Sequence, residues 1–122
     1  MKKRLTPEQV ALLLLLAMEK HHADLNCWRI SCKKLCIIAG ISVRNLDQIL
    51  DAIQEELFNR GYDLIDRVGF IEIHKISLPA KVGKLTPADV EKYTPYLNDE
   101  KFWQELRQKF SDENIKLMND ED

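Results

Sequence analysis

The longest apolar run of the chain, Val10 to Met18, is bracketed by polar positions. Ahead of it stands Leu5-Thr6-Pro7-Glu8-Gln9, which spells out a helix start. Thr6 is the cap, Pro7 takes the first helical position, Gln9 closes a capping box, and Leu5 staples to Val10. The helix is expected to run to about His22. Apolar residues cover all its faces from Leu12 to Leu16, so it belongs at the centre of the core. A polar connection follows, Ala23 to Arg29, with Trp28 inside it. Ile30-Ser31 opens a second helix, with Ser31 as cap and Ile30 stapled to Leu35; Gly40 ends it in a left-handed conformation. Ile41-Ser42 opens a third helix in the same manner, with Ser42 as cap and Ile41 facing Leu46. Leu46, Ile49, Leu50, Ile53 and Leu57 recur at spacings of three and four, the mark of an amphipathic helix, and Gly61 closes it.

The period then shortens. Leu64 to Asp66 and Phe70 to Ile76, joined by Arg67-Val68-Gly69, predict a short β-hairpin that Pro79 ends. Gly83 falls in a basic linker with Lys81 and Lys84. Leu85-Thr86-Pro87-Ala88-Asp89-Val90 repeats the first entry pattern, and Pro95 breaks the helix it opens. Asn98 is the expected cap of a last helix with Phe102, Trp103, Leu106 and Phe110 on one face; Ile115, Leu117 and Met118 extend it or start another turn. That aromatic stripe either packs back on the chain or pairs with a second copy as a homodimer.

A length of 122 residues, 45% of them hydrophobic, suits one core. The apolar run is too short for a membrane span, which takes about 20 residues. Lys2, Lys3 and Arg4 before it imitate a signal peptide, but Thr6 to Gln9 intervene and no small-residue cleavage site follows. The expectation is a cytoplasmic chain with no membrane partner. The net charge of −2 argues against binding nucleic acid by charge alone. Residues 1–78 hold 11 Lys and Arg against 10 Asp and Glu, and residues 79–122 hold 7 against 10, so the acidity lies in the C-terminal part.

Three cysteines, Cys27, Cys32 and Cys36, do not make a disulfide framework. Cys32 and Cys36 share one helix face, and with His21, His22 and Cys27 upstream a zinc set could be assembled. There is no Cys-x-x-Cys knuckle, and Leu35, Ile37 and Ile38 surround the pair, so small buried thiols are the better account and no metal is expected. No Gly-rich phosphate loop and no paired-carboxylate motif is present, and two of the three histidines, His21, His22 and His74, sit near a helix end. No catalytic residue, enzyme activity or cofactor is expected.

The order helix, helix, tight turn, helix, hairpin carries the functional reading. Ala39-Gly40-Ile41-Ser42 followed by Leu46 and Ile49 resembles the helix-turn-helix of winged-helix DNA-binding proteins. Cys27-Trp28-Arg29-Ile30-Ser31 with Leu35 resembles the entry to the second helix in phage and plasmid replication-initiator modules. The likeness covers about residues 5–77. It implies a mainly α fold with a small β-hairpin, a winged helix-turn-helix over 1–78. The segment after Pro79 resembles no known family; its own residue pattern predicts a C-terminal helical extension over 79–118, packed on the first part or dimerising, and a disordered acidic tail over 119–122.

The resemblance further implies a double-stranded DNA partner, met by a small regulator of transcription or a replication accessory factor of bacterial, phage or mobile-element type. Its third helix would enter the major groove. Carried over by position, Arg44, Asn45 and Gln48 are the candidates for base contact, Lys33 and Lys34 for phosphate at the start of the second helix, and Arg67 for the wing, with Lys75 behind it. Asp47, Asp51, Glu55 and Glu56 on the third helix depart from the pattern, because carboxylates repel phosphate. They keep open a second reading, a protein-interaction winged helix (adaptor, assembly subunit or inhibitor) that binds a protein partner through its acidic surface.

Overall fold

A computed structural model describes residues 4–21, 27–75 and 82–110. Helix α1 (Pro7–His21) opens on the expected capping box: the Gln9 N–H donates to Thr6 Oγ1 at 3.2 Å and the Thr6 N–H donates to Gln9 Oε1 at 3.0 Å. Every residue from Val10 to Met18 is buried, so α1 is the axis of the core. At roughly 1.5–3 kcal/mol for each large apolar side chain, this one helix supplies a large share of the burial energy.

Strand β1 (Cys27–Ser31) leads directly into helix α2 (Cys32–Ala39). Ser31 caps α2 by accepting from the Lys34 N–H at 3.1 Å, and Gly40 ends it at φ 73°. A 3-10 turn, Val43–Asn45, leads into helix α3 (Leu46–Phe58), which buries Leu46, Leu50, Ile53 and Leu57. Ser42 makes no side-chain cap bond, contrary to expectation. The chain enters through the 3-10 turn instead, closed by the Asn45 N–H on Ser42 O at 3.0 Å. Strands β2 (Tyr62–Asp66) and β3 (Phe70–Lys75) form the hairpin, and Gly69 turns it at φ 82°.

The strand content corrects the expectation of a small hairpin. The fold is mixed: helices pack on a four-stranded sheet that a further strand, β4 (Val82–Lys84), completes in the order β2-β3-β1-β4. β4 lies in the stretch expected to be a basic linker, and β1 occupies the end of the expected polar connection. β1 pairs antiparallel with β3, Cys27 opposite His74 and Ser31 opposite Phe70, and parallel with β4. Neither strand has the length to declare itself locally; each is held by partners distant in sequence. Trp28, Ile30, Leu64, Ile71 and Ile73 face the core, and Cys27, Arg29, Glu72 and His74 alternate onto the opposite face.

Helix α4 (Ala88–Glu91) is a single turn, and helix α5 (Glu100–Lys109) is capped by Asp99 rather than Asn98, through the Lys101 N–H at 3.0 Å. The aromatic stripe is consumed within the chain: Trp103, Leu106 and Phe110 join the core cluster, and Trp103 Nε1 donates to Leu97 O at 2.9 Å. Arg107 and Lys109 bond Glu8 and Glu19 of α1 at 2.8 and 2.6 Å. No described helix is long and apolar enough to cross a membrane. The side chains of His21 and His22, Lys81, Ile115, Leu117, Met118 and the acidic tail at 119–122 lie outside the described residues.

Candidate nucleic-acid interface

The expected contact residues come from three neighbouring pieces of chain. Lys33 and Lys34 are exposed on the first turn of α2, where backbone N–H groups lack intrahelical partners. Two of these amides are taken: the Lys34 N–H by the Ser31 cap, and the Cys32 N–H by Gly69 O at 3.1 Å, which ties the hairpin turn to the start of α2. Beyond that tie Val68 is 98% exposed, so the turn projects into solvent. Nothing lies within 4 Å of where a Cβ on Gly69 would stand; the glycine is needed for its backbone angle, not for space.

Arg44 and Gln48 are exposed and Asn45 is half-buried, at the entry to α3. Among the described residues, Lys33, Lys34 and Arg44 are in no ion pair and are free to meet an anion. Arg67 is engaged differently. It is half exposed, and its Nη2 lies 3.5 Å from Glu72 Oε2, so it is drawn back along the outer face of the sheet. Lys75 is half-buried at the end of β3.

Acids thread between these cations. Asp47, Asp51 and Glu55 are exposed and four residues apart, which lines them along one face of α3. α3 contains no Lys or Arg. Burial, followed by the charges of Asp66 and Asp47, pushes the Cys32 thiol up.

Two further cations, Arg29 and Lys84, escaped the sequence reading and join Lys34. Arg29, Ser31, Lys34, Phe70 and Lys84 line a shallow cleft of about 320 Å³ between β1, β4 and the start of α2. Arg29 also sits 5.5 Å over the Phe70 ring. Arg29 and Lys84 are adjacent only because β1 and β4 pair, Arg29 opposite Lys84, and no local pattern predicts that register.

Behind the cleft, Glu72 is only 5% exposed. Arg29 Nε donates to its Oε1 at 3.0 Å, and His74 Nε2 lies 2.9 Å from its Oε2. Burial would raise the Glu72 carboxyl, but the hydrogen bond with His74 and the charges of Arg67 and Arg29 more than offset this and hold it below the ordinary carboxylate range. Cys27 Sγ stands 3.8 Å from the same His74 nitrogen, and burial, followed by the Glu72 charge, pushes this thiol up. Cys32 and Cys36 are free thiols set in the core side of α2.

Compared with protein-family models, with curated proteins and with solved structures, the chain finds no match. Its chemistry is therefore read from this geometry.

Proposed function

We propose that the chain is a winged-helix DNA-binding domain, the working part of a small regulator or replication accessory factor. The order α1, β1, α2, α3, β2, β3, with β1 joining the hairpin as a third strand, is the arrangement this reading requires. The observation that carries it is the bond between the Cys32 N–H and Gly69 O. It locks the projecting turn against the start of α2, beside Lys33 and Lys34, as a backbone clamp on a duplex needs. In this reading Lys33, Lys34 and the cleft cations Arg29 and Lys84 meet phosphates. Arg44, Asn45 and Gln48, at the entry to α3, reach base edges. Arg67 reaches the duplex from the turn by leaving Glu72.

The test is duplex binding at low salt by the whole chain, with Arg44→Ala and Arg67→Ala beside it. Both variants should bind more weakly, and Arg44→Ala should also relax sequence preference. A folded chain that shifts no duplex at micromolar concentration overturns the reading. One observation favours a protein partner instead: the exposed acidic line of Asp47, Asp51 and Glu55 on a helix without a single cation. On this second reading neutralising the line abolishes partner binding, and duplex is never bound.

A further inference from the structure

Cys27, Glu72 and His74 bring three different donor atoms to one point on the outer face of the sheet, and the proposed DNA contacts leave that point unused. Cys27 and His74 are directly opposed in the β1–β3 ladder, and Glu72, two residues before His74, projects to the same side. The thiol sulfur, the imidazole nitrogen and a carboxylate oxygen all lie within 4.8 Å of one another. Two of these contacts are 3.8 Å, Cys27 Sγ to His74 Nε2, and 2.9 Å, His74 Nε2 to Glu72 Oε2.

We propose that Cys27, Glu72 and His74 form a zinc site that clasps β1 to β3 behind the hairpin. One ring nitrogen of His74 faces both the sulfur and the carboxylate. It carries either one hydrogen or one lone pair, so it can satisfy only one of the two neighbours. An ion between the three satisfies them all. With bonds of about 2.3 Å to sulfur and about 2.0 Å to nitrogen and oxygen, tetrahedral donors stand roughly 3.3–3.6 Å apart. The two His74 spacings differ from that by a few tenths of an ångström, and the sulfur and carboxylate, within 4.8 Å of each other, close on the ion by side-chain adjustment on a rigid ladder.

The surroundings suit the ion. Arg29 holds Glu72 Oε1 and leaves Oε2 turned toward His74, the kind of outer hydrogen bond that orients a ligating carboxylate. Arg67, the longer contact to Oε2, is half exposed and can turn to solvent as the ion takes its place. Cys27 and Glu72 are buried, while His74 is a quarter exposed, which gives the ion an entry path and leaves a fourth position for water. A set of one sulfur, one nitrogen and one oxygen selects zinc over the oxygen-seeking calcium and magnesium.

The experiment is a Co²⁺ titration of the full chain, stripped of metal and kept reduced, followed by displacement with Zn²⁺. One equivalent of Co²⁺ should produce a thiolate charge-transfer band and tetrahedral d–d bands, both erased by Zn²⁺. Cys27→Ser should remove the charge-transfer band. His74→Gln should weaken Co²⁺ binding at least about tenfold. The Cys32→Ser/Cys36→Ser double variant should bind as the parent does, and so should His21→Gln/His22→Gln. Because Cys27→Ser could perturb folding, X-ray absorption at the zinc edge of the unsubstituted chain gives an independent reading: one sulfur with the remaining ligands nitrogen or oxygen. The proposal fails if the parent shows no band at one equivalent. It fails equally if the band survives Cys27→Ser in a folded protein, or if the zinc has no sulfur ligand or more than one.

Discussion

Helix α3 and the sheet edge beside α2 are both open to solvent, and they carry opposite charge. On α3, Asp47, Asp51 and Glu55 line one exposed face, and the helix itself carries no cation. At the sheet edge, Arg29, Lys34 and Lys84 line one cleft, with Lys33 next to it on α2. The helix that the resemblance would send into the major groove is thus the less suited of the two to approach phosphate. Shape and charge are assigned separately in this chain. The α2–α3 pair is built by Ser31, Gly40 and the apolar spacing of α3, whereas the cationic cleft is built by a strand pairing. A duplex that meets this domain should lean on the sheet edge and touch α3 only at its entry, where Arg44, Asn45 and Gln48 stand.

The largest effect that could break this comparison comes from removing charge at the edge. Lys33→Ala/Lys34→Ala/Lys84→Ala leaves Arg29 to hold Glu72 and should weaken duplex binding by about two orders of magnitude, at roughly 1 kcal/mol for each lost charged contact, as measured by anisotropy. If affinity is unchanged, the edge is not the phosphate contact. Next in size, Arg44→Ala should cost about tenfold on the preferred sequence and little on random duplex, because base contacts and not phosphate contacts carry preference. Neutralising the opposite face should act in the other direction. Asp51→Asn with Glu55→Gln should tighten duplex binding several-fold, and also stabilise α3 by about 0.4–1 kcal/mol through loss of two i,i+4 repulsions, Asp47–Asp51 and Asp51–Glu55, visible in urea unfolding. A loss of binding would instead make the acids contacts.

The smallest effect concerns what holds Arg29 and Arg67 in place. The Glu72 carboxyl is lowered in the folded chain, so the stability it contributes is present above the ordinary carboxylate value of about 4.3 and is lost as pH falls through the lower, folded value. Thermal unfolding with a chelator present should fall by a few degrees between about pH 5 and pH 3 on this account. The acid limb should flatten in Glu72→Gln. An unchanged acid limb in that variant would remove Glu72 from the account.

What could be read from the sequence was what is decided locally. The Thr6–Gln9 box, the Ser31 cap, the left-handed Gly40 and the Gly69 turn are settled within a few residues, and each stands in the structure where its pattern predicts. What could not be read depends on partners far along the chain. β1 exists because Cys27 to Ser31 pair with residues near 70–74, and β4 because it pairs with β1. The same registers create the Arg29–Lys84 cleft and the Cys27–Glu72–His74 cluster, so both escaped a reading that nominated Lys33, Lys34 and Arg44 by position. The displaced caps are a smaller matter: Asp99 wins over Asn98 because its carboxylate reaches the Lys101 N–H, and the 3-10 turn at Val43–Asn45 leaves Ser42 no helical amide to cap.

The most direct test of the central claim is the salt dependence of duplex binding by the unsubstituted chain. If Arg29, Lys33, Lys34 and Lys84 each neutralise a phosphate, a plot of log affinity against log salt should fall with a slope of about −3 to −4, and to about −1 in the Lys33→Ala/Lys34→Ala/Lys84→Ala variant. A slope near zero, or the same slope in parent and variant, would contradict it.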